Sequence, residues 1–376
     1  MMTLRRRREE GATALIVVIF SVLLLITVSV GFMRLVVQDQ DRTANDELSR
    51  GAYDSAIAGV EDGKRALQAC LAGNAAACAA INAAECNTIW AAGVVSASDP
   101  SKQEEVKLQN SSGTTGGFDQ AYTCVKVKRN TPDYKANINA DTSIVVPLQT
   151  VGSFSRVVVS WYPNPGSSGL PIDIADRVGN PLSPFGSWVG SGNIRPPIIR
   201  AQLMQFTAGA LNLSDFDSNG GAHTLYLYPS ITGAAEGVAD LSFGSDSRNN
   251  PVANNLLSNV ACSTSLLRHY VCSVAIGLPN PPGGDQTNRQ AYLRLTSIYG
   301  NTQVTIRPDG TELQDIQPSI DSTGRAANVF RRVDARVEVT GMDIYPRATV
   351  DITQSFCKDF SVTASLYVPG SCNPHP

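Results

Sequence analysis

The residues of this chain that are best suited to chemistry are side-chain oxygens in one short loop, residues 215–220. Asp215, Asp217 and Asn219 stand at alternate positions there and a glycine follows them, which is the pattern of the first half of a calcium-binding loop. An EF-hand would need a bidentate acid at the twelfth position, where this chain has Tyr226. The sequence therefore predicts calcium as its one candidate cofactor, in an irregular site completed by an acid from elsewhere. An ordinary Asx turn is the alternative.

Cysteine is the second residue type with a chemical meaning here. The even number of cysteines predicts a disulfide framework in an oxidising compartment. Closeness in sequence favours the pairs Cys262 with Cys272 and Cys357 with Cys372, and leaves the first four cysteines to pair among themselves. A zinc site is disfavoured because no Cys-x-x-Cys occurs and the chain has only 3 histidines. The 8 cysteines are Cys70, Cys78, Cys86, Cys124, Cys262, Cys272, Cys357 and Cys372.

The sequence contains no catalytic motif, so it predicts a protein that is not an enzyme. Gly-x-Ser-x-Gly, a Walker loop and His-Glu-x-x-His are all missing. A triad is defined by geometry, so His223 and His269 could meet a serine and an aspartate in space, but the few histidines disfavour it. The net charge of -3, with basic residues clustered only at the N-terminus, argues against a nucleic-acid partner.

The elements that position these residues begin with an apolar run near the N-terminus. Four arginines and two glutamates precede Gly11, and the next charged residue is Arg34. At about 1.5 Å per helical residue, this run can cross a hydrocarbon core of roughly 30 Å. The positive-inside rule keeps the N-terminus in the cytoplasm and sends the rest of the chain outward.

Three interpretations compete for this segment. A cleaved signal peptide would end in small residues, but residues 28–32 read Val-Ser-Val-Gly-Phe. An uncleaved signal anchor is the second interpretation. The third depends on Gly11, because a glycine between a charged leader and an apolar run resembles the prepilin peptidase site of type IV pilins and pseudopilins. That resemblance implies that residues 1–11 are a leader and that Ala12 becomes the new N-terminus.

The residues after the apolar run extend the resemblance. Residues 52–61 read Ala-Tyr-Asp-Ser-Ala-Ile-Ala-Gly-Val-Glu, and Ala66 and Leu67 follow. This helix resembles that of PilX-type minor pilins and of large tip pseudopilins, over roughly residues 5–67. The resemblance implies a structural filament subunit whose partners are other pilins, prepilin peptidase, the inner-membrane assembly platform and the membrane. Such a subunit is first a single-pass protein of the inner membrane and then part of an extracellular or periplasmic filament.

One residue of the apolar run departs from the pattern of most pilins. The fifth residue after the predicted cut is Ile16, where most pilins carry a glutamate that is thought to meet the N-terminal amine of the adjacent subunit. The large tip pseudopilins also lack this glutamate. The resemblance therefore implies a place at the filament tip, where the contact is not required.

A long helix is predicted over residues 12–70, of which 12–33 span the membrane. Glycines at 31, 51, 59 and 63 each cost about 1 kcal/mol relative to alanine in a helix interior, so they need a reason. We interpret them as places where neighbouring helices approach closely, with Gly31 marking a segment that can unwind during assembly.

Beyond residue 90 the sequence predicts strands. Residues 329–340 alternate apolar with charged side chains, which indicates a strand with one wet face. Residues 292–307 read as a hairpin around Gly300 and Asn301. The valines at 157–159 suit a central strand. The other candidate strands are 121–127, 143–148, 154–162, 198–206, 224–228 and 266–275.

The predicted fold class is α+β. The long N-terminal helix packs on an antiparallel sheet that contains the strands near 154–162 and 329–340, and a β-rich, disulfide-bonded insertion lies between them. The expected domains are the leader (1–11), the helix (12–70), the first part of the head (71–162), the insertion (163–325) and the final strands with a disulfide tail (326–376). The expected function is a minor pilin or pseudopilin, and the alternative is a signal-anchored extracytoplasmic binding protein or hydrolase.

Overall fold

The computed structural model describes residues 6–86, 88–94, 105–108, 119–164, 188, 195–207, 221–243, 257–263, 269–282 and 289–338. These residues form an α+β chain with a long N-terminal apolar helix and mainly antiparallel sheets, which confirms the predicted fold class at that level. The helices are α1 (Arg6–Leu71), α2 (Ala75–Ala83) and α3 (Thr88–Ala91). The strands are β1 (Val106–Lys107), β2 (Gln120–Thr131), β3 (Tyr134–Ile138), β4 (Ser143–Pro147), β5 (Arg156–Pro163), β6 (Ile198–Thr207), β7 (Ala222–Ser230), β8 (Leu241–Ser242), β9 (Leu257–Ala261), β10 (Tyr270–Gly277), β11 (Arg289–Ile298), β12 (Thr302–Pro308), β13 (Leu313–Ala326) and β14 (Val329–Arg336).

The chain divides into two compact units. The first consists of Met1–Arg129 and Gln317–Val337, and the second of Asn130–Ile316 and Glu338–Pro376. The expected insertion at 163–325 therefore differs from the second unit, which begins at Asn130. The reason is that β3, β4 and β5 all pair with strands of the second unit.

The first unit contains α1, the two short helices and a four-stranded sheet in the order β1-β2-β13-β14. α1 is a single helix of 66 residues, as its good helix formers predict. β13 and β14 form an antiparallel pair. Along β14, Val333 and Ala335 are partly buried while Asp334 and Arg336 are exposed, which confirms the predicted strand with one wet face.

The second unit is a sandwich of two five-stranded sheets, ordered β3-β12-β5-β10-β8 and β4-β11-β6-β7-β9. Most neighbours are antiparallel, and β8 with β10 and β7 with β9 are parallel. Alternate residues of both sheets point inward and form one core. Trp161 on β5 and Leu293 on β11 are fully buried in it. The three valines at 157–159 lie on β5, the middle strand of its sheet, as predicted.

Two predictions about strand pairing are wrong. β5 does not share a sheet with β14, because β12 and β10 flank it in the sandwich. β11 and β12 do not form a hairpin either, since β4 and β6 pair with β11 while β3 and β5 pair with β12. β12 buries alternate residues, and the residues of β11 in the core are the alternate ones Ala291, Leu293 and Leu295. This pattern fits a connection between sheets as well as a hairpin.

Candidate functional site: the N-terminal helix and its sheet

The N-terminal part of α1 presents apolar side chains that nothing in the described chain covers. The large apolar residues between positions 15 and 37 are 47% exposed at Val30 and up to 71% exposed at Met33. Within the described residues, Ala14–Leu71 is the one helical segment long and apolar enough to cross a membrane. Its length and composition are those of a single-pass membrane anchor or a signal sequence. An apolar surface of this size requires lipid or a protein partner.

The residues predicted for processing and assembly lie on this part of α1. Gly11 and Ala12 are within the helix. Ile16 is 63% exposed, so its apolar side chain is available to whatever covers the helix.

The C-terminal part of α1 has the opposite character, because one of its faces is buried. The buried positions recur every three or four residues, which places them along one side of a helix. Almost all of them are small, so the helix can approach its neighbour closely. They are Gly51, Ala52, Ser55, Ala56, Gly59, Val60, Gly63, Ala66, Leu67 and Cys70.

Glycines on α1 and on β13 allow the helix and the sheet to come into close contact. A Cβ atom at Gly59 would lie 2.2 Å from Ser322 Oγ, and one at Gly63 would lie 2.7 Å from Ile320 Cγ2. From the sheet side, a Cβ at Gly324 would lie 2.1 Å from the carbonyl oxygen of Ala52. At Gly324 the close atoms belong to the helix backbone, so this glycine is required by the approach of helix and strand. At Gly59 and Gly63 the close atoms belong to side chains of β13, which would have to shift to admit a Cβ.

This contact corrects the interpretation of the helix glycines. Gly59 and Gly63 face the sheet of their own chain, and Gly51 faces Gln120 on β2, where the sequence suggested neighbouring helices. The prediction failed because small residues permit close approach to any backbone. Gly31 is different, since a Cβ there would meet nothing within 4 Å. Of the four glycines, Gly31 alone stays available for a contact outside the chain.

A polar contact also joins α1 to the sheet. Tyr122 on β2 is 2% exposed, and its hydroxyl donates a hydrogen bond to Asp62 Oδ2 at 2.5 Å. Arg65 donates to the other oxygen of Asp62 at 2.7 Å. Burial raises the pKa of the Tyr122 phenol above its ordinary value of 10.0, and the hydrogen bond to Asp62 raises it further.

We expect Tyr122→Phe to lower the free energy of unfolding by about 1–3 kcal/mol near neutral pH, because Asp62 loses a donor. Since the folded pKa is raised, the unfolded chain loses its phenol proton first, and stability falls as pH rises above about 10. The variant should lack this part of the alkaline loss. Urea unfolding of both proteins between pH 7 and pH 11 measures the difference, and parallel pH profiles would contradict the assignment.

Disulfides fix the segments around this contact. Cys70 pairs with Cys78 at the end of α1, and Cys86 pairs with Cys124 on β2. In the sandwich, Cys262 pairs with Cys272, the pair preferred from the sequence. This bond joins the segment after β9 to β10, which belong to different sheets. Cys357 and Cys372 lie outside the described residues, among which no cysteine is free.

The other residues singled out in the sequence are the predicted calcium ligands and two histidines. Asp215, Asp217 and Asn219 lie outside the described residues. Within the part of the chain that the structure describes, no three His, Cys, Asp or Glu side chains form a group that could hold a metal ion. His223 is 3% exposed on β7, with its ring centroid 6.3 Å from that of Phe243. His269 is exposed beside β10.

Comparison with known proteins gives no relative: no protein-family model matches the chain, and no curated protein or solved structure matches it. Any functional assignment therefore depends on the residues of this chain and on their geometry.

Proposed function

We propose that this protein is a minor pilin or pseudopilin of a type IV filament, placed at the tip, where it initiates assembly or presents an adhesive head. The observation that carries the proposal is the division of α1 into two parts. Its N-terminal part is apolar and exposed throughout, whereas its C-terminal part is buried on a sheet of the same chain. A subunit that must move from a membrane into a filament needs both parts in one helix.

The exposed part of α1 accounts for the order in which the subunit meets its partners, first the membrane and then other pilins. Leaving apolar surface in water costs about 25 cal/mol per Å², so the helix stays in the inner membrane until other pilin helices can cover it. The charged leader before Gly11 is the substrate for prepilin peptidase in this proposal. Removing it leaves the apolar helix on the mature subunit and lets the subunit leave the membrane.

Ile16 supports the place at the tip. Its side chain is exposed and apolar, so it offers no carboxylate to the N-terminal amine of a neighbouring subunit. A buried charge without a partner costs several kcal/mol. A subunit that cannot supply that partner is best placed where no neighbour requires it.

Immunogold labelling of sheared filaments tests this function. We expect gold confined to filament ends, because a tip subunit has a low copy number. Regular labelling along the shaft would keep the filament function and overturn the tip. Gold confined to the membrane, with none on filaments, would instead support the signal-anchored binding protein or hydrolase.

A further inference from the structure

Two arginines lie at diagonal positions on neighbouring strands, on the outer face of the sheet β4-β11-β6-β7-β9. Arg200 on β6 is opposite Thr296 on β11, and Arg294 on β11 is opposite Gln202 on β6. The residues that alternate with them, such as Leu203, face the core. The four polar side chains therefore share the outer face of two adjacent strands.

The hydrogen bonds of these arginines reach only neutral hydroxyl groups among the described residues. Arg200 Nη2 donates to Thr296 Oγ1 at 3.2 Å, and Arg294 donates to Ser143 Oγ from Nε at 3.1 Å and from Nη2 at 3.0 Å. Arg200 Nε and Gln202 Oε1 are buried and have no hydrogen-bond partner in the described chain. In this part of the chain no carboxylate forms an ion pair with either arginine. Among the described residues, the guanidinium groups of Arg200 and Arg294 are therefore held in place without a negatively charged partner.

The electrostatics of the pair are unfavourable as the structure stands. Burial lowers the pKa of Arg294, and repulsion by the Arg200 guanidinium lowers it further. Like charges on neighbouring strands of one sheet face repel each other, and a buried donor without a partner is destabilising. Folded proteins rarely leave such groups unpaired without a reason. An anion bound between the two arginines would remove the repulsion between their charges.

We propose that this face binds an acidic saccharide, with Arg200 and Arg294 holding its carboxylate. A guanidinium presents two parallel donors that match the two oxygens of a carboxylate. Gln202 lies on the same face and offers its amide NH₂ group to a sugar hydroxyl, and Tyr226 on β7, opposite Arg200, adds an aromatic ring. An acidic peptide fits less well, because peptides add to sheet edges and β11 and β6 are interior strands.

The inference goes beyond the filament assignment and does not depend on it. Arg200 and Arg294 belong to the second unit, whereas α1 belongs to the first. Binding is measured on the purified chain without filaments, so the two proposals can fail separately.

Calorimetric titration of the full chain in detergent tests the site, with trigalacturonate as the probe and the uncharged galactose trisaccharide as its matched control. We expect trigalacturonate to bind and the neutral trisaccharide not to bind. Arg200→Gln and Arg294→Gln should each weaken binding by about tenfold or more, since each removes a charge-assisted contact. Arg200→Lys and Arg294→Lys keep the charge but lose the paired donors, so they should weaken binding while the fold is preserved.

Arg289→Gln is the matched control variant. Arg289 lies on the same strand as Arg294, but five residues before it and therefore on the opposite face, so this variant should bind normally. Circular dichroism checks that every variant is folded. The proposal is overturned if trigalacturonate fails to bind, if all variants bind alike, or if inorganic phosphate competes as strongly as trigalacturonate, which would indicate a site for any anion.

Discussion

Replacing Gly324 with alanine should separate α1 from its sheet and unfold the first unit. The new Cβ would lie 2.1 Å from the Ala52 carbonyl oxygen, 2.2 Å from the Ala56 nitrogen and 2.9 Å from the Ala56 Cα. All three are backbone atoms of a helix interior, so no side-chain rotation can relieve the overlap. We expect a loss of roughly 3 kcal/mol or more in the free energy of unfolding, which is a large fraction of the stability of an ordinary domain.

Urea unfolding of the full chain in detergent, followed by circular dichroism, measures this loss. Gly31→Ala is the matched control, because a Cβ at Gly31 meets nothing within 4 Å. It should preserve stability or raise it by about 1 kcal/mol through helix propensity. Gly63→Ala should fall between the two, since its nearest neighbour is the side chain of Ile320, which can move. Equal stabilities for the Gly324 and Gly31 variants would show that the helix and strand do not touch as described.

The sequence predicts α1 and β14 well because each has a strong local pattern. α1 combines a long charge-free apolar run with good helix formers over residues 38–67, and β14 alternates apolar with charged residues. β13 is not predicted from the sequence, because its residues form no such local pattern. Residues such as Pro318, Asp321 and Gly324 are typical of turns, yet they occur in a 14-residue strand. Its small residues are needed to receive α1, and this requirement depends on the partner, which local sequence does not reveal.

Long-range pairing explains the other differences. The chain after β11 turns at Gly300 and enters the second sheet of the sandwich, although a hairpin would have satisfied the same alternation. The position of the two arginines also depends on long-range strand pairing. Alternation along β6 and β11 places Arg200 and Arg294 away from the core, but only the register brings them onto adjacent strands. Their shared face could not be predicted, because Arg200 and its partner Thr296 are 96 residues apart and no local signal pairs β6 with β11.

The structure also gives a physical reason for the small residues in the motif at 52–61. Ala52, Ala56 and Gly59 are buried on one face of α1, so a larger residue at any of them would push the helix off the sheet. Tyr53 and Glu61 are exposed on the other side. Packing of the helix on the sheet of the same chain therefore explains the 52–61 motif that suggested a pilin helix. Evidence for a filament must come from the N-terminal part of α1, where packing within the chain plays no role.

Gly11→Leu tests that part directly and should abolish leader removal. A peptidase that cuts after a small residue cannot accept leucine there, whereas membrane insertion depends on hydrophobicity and leucine increases it. We expect the variant to remain in the membrane with its leader attached and to be missing from filaments. N-terminal sequencing of the exported protein measures the outcome, with Ala12 as the first residue of the wild type and an intact Met1 or Met2 in the variant.

Gly31→Leu is the matched control for this experiment, since it makes the same substitution in the same apolar segment, at a position with open space around it. It should be processed at the wild-type rate, because the peptidase acts at Gly11. If Gly11→Leu were also processed normally, the glycine would have no role as a cleavage site, and the leader removal that the pilin proposal requires would be contradicted. If the wild type itself kept its leader, α1 would be a signal anchor, and the exposed apolar helix would need only lipid as its partner.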